Sequence, residues 1–195
     1  MTKSQNTPFV LSTDAAPLSI RSERISDVVA RETLLDTCFG TSRTSRTCQR
    51  LRDGHVPAEG LSLSAVLGDK LVGTVRLWHV SAGGVPALVL GPLAVDPSCR
   101  KLGIGAALMA HALATAKVRG HHAVLLLGDA PYYARFGFSA AKTGQLALPG
   151  PFERDRLLAV EFTDGALDGA CGMIVPTGAP LPRRQASRAL HAHAA

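Results

Sequence analysis

In the stretch DPSCRKLGIGAALMAHALATAKVRG, residues 96–120, Arg100, Gly103 and Gly105 stand immediately ahead of an apolar helical stripe. A helix start exposes unpaired N–H groups and carries a partial positive charge, so it is a ready site for an anion. Glycines there let a bulky phosphate approach the backbone, because no Cβ is in the way. Arg100 and Lys101 add charge at the mouth. The chemistry this spacing permits is pyrophosphate binding, with Arg100, Lys101, Leu102, Gly103, Ile104, Gly105 and Ala106 as the candidate cradle. Two familiar nucleotide loops are excluded. A dinucleotide fingerprint needs a third glycine where Leu108 stands, and a P-loop needs Gly-Lys-Ser/Thr where Gly105 is followed by Ala106 and Ala107. A tight turn with glycines for packing is the bland alternative, and the loop alone does not separate the two.

The strand ahead of the loop adds a second signal. VLGPLAV places Gly91-Pro92 inside an otherwise unbroken apolar run. Pro92 has no N–H to donate and does not fit a regular central ladder, so a bulge is the economical reading. A bulge there splays the strand from its neighbour and exposes main-chain groups of Leu93, Ala94 and Val95, with which an amide-rich arm can pair as an extra strand.

These groups need elements to hold them. Leu61 to Leu67, a Gly68-Asp69-Lys70 turn and Leu71 to Val80 read as a hairpin. GGVPALVLGPLAVDP reads as a buried strand, and Leu108, Met109, Ala112, Leu113 and Ala116 as a helical stripe closed by Gly120. HAVLLLGD is a second buried strand, so strand, helix and strand form a βαβ unit with the two strands parallel. APYYARFGF reads as a short helix and turn, RDRLLAVEFT and CGMIVP as late strands. A helix is expected over Ser22 to Phe39, with Ile25, Val28, Val29, Leu34 and Leu35 on one face. TSRTSRTCQRLRDGHVPAEG reads as a short basic helix followed by a loop, with SRTSRTCQRLR either a substrate-side basic face or a solvated helix face. The organisation expected is a flexible arm over 1–19, one domain over 20–177 and a basic tail over 178–195.

At 195 residues, 46% apolar and 18% charged, the chain suits one globular domain. It has no run of about eighteen apolar residues for a bilayer and no secretory signal pattern, so the cytoplasm is the expected location and no membrane partner is expected. Cys38, Cys48, Cys99 and Cys171 form no CxxC pair and have no histidines at zinc-ligand spacing, so free thiols and no metal are expected. The net charge of +6 suits a polyphosphate ligand. Nucleic acid is disfavoured, because the dense basic and aromatic footprint of a dedicated binder is missing; steeply salt-dependent binding through the Arg-rich segment and tail would argue otherwise.

Together, Arg100-x-x-Gly103-x-Gly105, the bulged LGPLAV and Tyr133-x-x-x-Gly137-Phe138 resemble the GCN5-related N-acetyltransferase (GNAT) superfamily. LLGDAPYYARFGF and GALDGACGMIVP resemble its YhbS-like branch. The resemblance spans about Ile20 to Thr177. It implies an α/β fold with a mixed, splayed central β-sheet flanked by α-helices. It also implies acetyl transfer from acetyl-CoA to an amine by direct attack. The pantetheine arm would lie in the splay at Leu93, Ala94 and Val95, and the pyrophosphate on the glycine loop. Backbone N–H groups near Leu93 and Ala94 would stabilise the oxyanion, and Tyr133 would protonate the leaving thiolate. The alternative for Tyr133 is packing at a helix end. Many family members use a glutamate base on a central strand, and this chain has no acid between Lys70 and Val95. His79 and Glu59 are weaker candidates, and no base is assigned. Asp129 either touches CoA or substrate, or caps the next helix. Trp78 lines the acceptor pocket or packs. The lack of an obvious base keeps a non-catalytic CoA-binding module as the alternative function. The acceptor amine and the oligomeric state, a homodimer included, are left open.

Overall fold

The computed structural model describes residues 17–182. The expected arm up to residue 16 and the expected basic tail from residue 183 lie outside them. The elements run β1 (Leu18–Ser22), α1 (Val28–Phe39), β2 (Ser62–Leu67), β3 (Lys70–Ala82), β4 (Val85–Val95), α2 (Ile104–Val118), β5 (Ala123–Leu127), α3 (Ala130–Tyr133), β6 (Leu146–Ala147), β7 (Leu157–Glu161) and β8 (Gly172–Pro176). Two 3₁₀ segments, Thr41–Ser45 and Thr47–Leu51, follow α1.

The strands form one mixed sheet in the order β1-β2-β3-β4-β5-β7, with β8 on the far end of β3 and β6 on β8. β4 and β5 are parallel and joined through α2, as the βαβ pattern requires; the other neighbours on that path are antiparallel. α2 lays Leu108, Met109, Ala112 and Ala116 on one face of the sheet against Leu63, Val75, Leu88 and Val124. Burying such side chains stabilises by about 1.5–3 kcal/mol for each large one, which fixes α2 and therefore the position of its first turn. On the other face Leu51, Leu146 and Leu148 pack in one cluster with Trp78, Val80, Val89, Leu125, Leu157 and Ile174 of the sheet strands.

The first helix departs from expectation. Ser22 ends β1, an edge strand paired with β2 from Leu18↔Leu67 to Ser22↔Leu63. α1 begins only at Val28. It buries Leu34 and Leu35 against Ala94, while Ile25 and Val29 are 92% and 78% exposed. Polar pairing sets the register here instead. Asp27 accepts from Arg21 (2.6 and 2.9 Å), from the Arg24 backbone N–H (2.8 Å) and from Ser64 (3.1 Å). These donors, the Arg21 guanidinium first, hold the Asp27 carboxyl well below the usual carboxylate range.

Candidate active site

The site begins at the bulge. Val75 of β3 faces Leu93 of β4 and Leu77 faces Leu90, so Gly91 and Pro92 together oppose Arg76. The extra residue bends β4. Trp78 holds the bend: its indole N–H donates to the Gly91 carbonyl at 2.6 Å, and the side chain is 7% exposed. Trp78 is thus a structural support and not a pocket wall. On the other edge of β4 the ladder to β5 lasts only through Leu88↔Val124 and Val89↔Leu125. Beyond it the strands part, and a cleft of about 910 Å³ opens between Leu90–Leu93 and Leu126–Asp129. Leu93 lies on its wall. Ala94 is buried under Leu34 and Leu35, and the Val95 carbonyl accepts from the Cys38 thiol at 3.3 Å.

The loop after β4 starts with Asp96, which accepts from the Ser98 N–H (2.9 Å) and the Lys70 ammonium (2.7 Å). These contacts lower its pKa to about 2, so the turn is held by an ionised carboxylate at physiological pH. Lys101 and Gly103 both have φ of 74°. Left-handed backbone strongly favours glycine, so the turn itself explains Gly103. It does not explain Gly105. A Cβ there would lie 3.6 Å from Tyr132 Oη and Val95 Cγ2, an ordinary contact, so packing does not demand a glycine. What the missing side chain leaves is open access to backbone N–H groups. The first helical bond joins Ala107 N–H to the Gly103 carbonyl (2.9 Å), which leaves Ile104, Gly105 and Ala106 as free donors at the helix start. Arg100, Lys101 and Leu102 are exposed around them. Neither Arg100 nor Lys101 has a carboxylate partner among the described residues. The loop meets the cleft at Tyr132, whose ring lines the wall and whose hydroxyl lies beside Gly105.

α3 places the tyrosines. Asp129 lines the cleft and caps α3, accepting from the Tyr132 N–H at 3.3 Å. Tyr133 lies on the cleft wall, packed over Gly128 and edge-on to Tyr132 with centroids 5.0 Å apart. Burial, then the neighbouring Tyr132 and Asp129, push its phenol above the usual value near 10, against a weaker pull from Arg156. It is therefore a group that keeps its proton until a strong base arrives. Gly128 is what admits the ring, since a Cβ there would stand 2.2 Å from Tyr133 Cε2. Gly128→Ala is expected to displace Tyr133 and cost about 1–3 kcal/mol by overpacking. Chemical denaturation checks this.

The other candidates do not converge. His79 lies beside His121, the rings tilted with centroids 5.3 Å apart, and Glu59 is exposed, 3.8 Å from Arg119; neither lines the cleft. The roof of the cleft is made by Thr47–Arg52, the end of the SRTSRTCQRLR segment, and by Pro151–Arg156, with Thr47 donating to the Pro151 carbonyl at 2.6 Å. Nothing in the sequence singles out the Pro151–Arg156 half, Glu153 included, and no spacing marks Arg52 among the arginines of its segment. Among the described residues no cluster of three or more His, Cys, Asp or Glu has a metal-holding arrangement, and no helix is long and apolar enough to cross a membrane.

The family model described as the acetyltransferase (GNAT) family matches residues 29–138, more than half of the chain. The chain is an acetyltransferase of the GNAT family. Among its GNAT relatives is the N-acetyltransferase YhbS of Escherichia coli (strain K12), 29% identical over 157 residues that cover 80% of this chain and 93% of the relative. The crystal structure of E. coli YhbS in complex with CoA superposes with a TM-score of 0.71 at 27% identity, covering 89% of this chain and 94% of that one. A GNAT family acetyltransferase from Brucella melitensis, crystallised with acetyl-CoA, shares the fold with a TM-score of 0.64 at 24% identity, covering 83% and 97%.

Proposed function

We propose that this GNAT protein moves the acetyl group of acetyl-CoA to a primary amine by direct attack in a ternary complex. One observation carries the reading: β4 parts from β5 at a bulge, and the gap opens beside a helix start stripped of side chains at Gly103 and Gly105. That pairing of a strand-like slot with an anion cradle fits an amide-containing arm ending in a pyrophosphate. The CoA-bound relatives support the same reading.

Bound acetyl-CoA would supply an activated acetyl thioester. Arg100, Lys101 and the free N–H groups of Ile104, Gly105 and Ala106 would hold the pyrophosphate, with Leu102 and Gly103 shaping the turn that presents them. Main-chain groups of Leu93 and Val95, which point away from β3, pair with the arm, and the N–H at Leu93 meets the carbonyl oxygen as charge develops on it, while Ala94 spends its main-chain groups on Thr74 of β3. The Tyr133 hydroxyl gives its proton to the leaving sulfur. Asp129 sits at the edge of the arm's path and holds α3 in place. The amine gives up its proton through water in the cleft. The four free thiols suit a cytoplasmic enzyme.

Time-resolved thiol release from acetyl-CoA with a panel of primary amines tests the reaction. Amine-dependent release is expected, and release that no amine accelerates would contradict it. The pH profile has a defined shape. A raised Tyr133 pKa keeps the donor protonated up to and beyond pH 10, so kcat should rise as the amine loses its proton and show no alkaline fall until above pH 10. A fall centred below pH 9 would remove Tyr133 as the donor.

A further inference from the structure

We propose that the acceptor is a small amine that carries a carboxylate, and that Arg52 receives that carboxylate; this rests on the acetyl-transfer reading of the same cleft. Six charged side chains line the cleft: Arg43, Arg46, Arg52, Asp129, Glu153 and Arg156. Five of them are engaged. Arg43 is held by Glu32 and by Asp36 (2.7 Å). Arg46 has no carboxylate partner among the described residues, but it is exposed to water, donates to the Phe39 carbonyl at 3.2 Å and lies over the Phe39 ring. Arg156 and Glu153 pair at 3.4 Å, and Asp129 caps α3.

Arg52 is different. Its Nε donates to the Cys48 carbonyl at 3.0 Å, and its two terminal nitrogens have no acceptor among the described residues. Leu51, fully buried, anchors the segment, so Arg52 is carried inward at the bulge. Its Nη1 lies 3.9 Å from the position a Cβ on Gly91 would take. Nearby charge does not neutralise it. Arg76 is spoken for by Glu23 (2.8 Å), and Asp53 is exposed and accepts from Gln49 (2.6 Å). Burial is the main cause that lowers the Arg52 pKa; Cys48 and Asp53 offset it only in part, and the Arg43 and Arg76 cations push it down further.

A half-buried cation without a counter-ion is costly, and a ligand anion relieves the cost. The free end of a guanidinium presents two parallel N–H groups that match a carboxylate. Holding the Cys48 carbonyl needs only one of its five N–H groups, which leaves the fork unexplained by structure alone. The cleft's size, about 910 Å³, falls in the range of small-molecule sites, and the two halves of its roof are joined by the Thr47–Pro151 bond. The occupant that fits is a free amino acid or a similar amine, its amine toward the splay and its carboxylate on Arg52.

The test uses acceptor sets that share an amine: a free amino acid, its carboxamide, the decarboxylated amine, and a peptide opening with an acidic residue. Wild type, Arg52→Lys and Arg52→Gln are compared by kcat/KM. Charge-assisted hydrogen bonds are worth about 1.5–3 kcal/mol, roughly 10–100-fold. The wild type should therefore favour the acid over its amide by about 30-fold or more. Arg52→Gln should bring the ratio near one, with Arg52→Lys between. A wild-type ratio near one, or an unchanged ratio in Arg52→Gln, overturns the proposal. So does a peptide that outperforms every free acid. If Arg52→Gln does not fold, binding of an N-acetyl amino acid against its amide to the wild-type CoA complex must show the same preference, and equal binding overturns it. Acetyl-CoA binding is measured alongside. Binding with amides acetylated as well as acids sinks only the Arg52 assignment. No binding and no acetylation sink the transfer reading and this inference with it.

Discussion

Gly105→Glu is expected to weaken acetyl-CoA binding about 100-fold while leaving the fold as stable as the wild type, or more so. The two effects have opposite signs because they act on the same N–H groups. A Cβ at this position meets nothing closer than 3.6 Å, so the side chain enters without a clash. An acidic residue in the first turn of α2 improves the interaction with the helix dipole by about 0.3–1 kcal/mol, and replacing a helical glycine adds about as much. That same carboxylate covers the free N–H groups and stands beside Arg100 and Lys101. It competes with a pyrophosphate for both and repels it. Losing one or two charge-assisted bonds, each worth about 1.5–3 kcal/mol, gives the hundredfold figure. Calorimetric titration with acetyl-CoA and chemical denaturation give the two numbers. Undiminished binding would remove the cradle from the account.

Tyr133→Phe should lower kcat about 100-fold and leave acetyl-CoA affinity within twofold. The phenyl ring keeps its seat over Gly128 and its contacts with Tyr132 and Phe138, so packing is preserved. Only the hydroxyl proposed as the proton donor is lost, and a positioned general acid contributes about 10²–10⁴-fold. A loss of affinity equal to the loss of rate would mark Tyr133 as a binding residue. An unaltered rate would mark it as a packing tyrosine.

Much of this site could be read from the sequence because its key residues break local rules. Pro92 cannot donate to a ladder, and β4 bulges there, with Gly91 and Pro92 facing the single Arg76. The glycine pair stands ahead of a clean apolar stripe, and α2 starts at Ile104, one residue past Gly103. The start of the chain was harder. Ile25, Val28 and Val29 have helical spacing, but they face water, and LSIRS becomes a strand because the edge of β2 needs a partner. No pattern within those five residues reports that demand. Arg52 was out of reach for a related reason. It is one of several arginines in SRTSRTCQRLR, and only the tertiary arrangement determines which of them loses water without gaining an acid. Trp78 shows the converse case. A lone tryptophan near a cleft reads as easily for substrate as for structure, and the 2.6 Å bond to the Gly91 carbonyl makes it the support of the bulge.

The most direct test of the central claim, that the splay and the glycine loop together hold acetyl-CoA, is thermal unfolding of the full chain titrated with acetyl-CoA beside NAD and ATP. A ligand bound only by the folded state adds RT ln(1 + [L]/Kd), about 2.7 kcal/mol at a hundredfold excess over Kd. The expected result is a concentration-dependent rise in Tm with acetyl-CoA that NAD and ATP do not reproduce. No rise at millimolar acetyl-CoA, or an equal rise with all three, would contradict it.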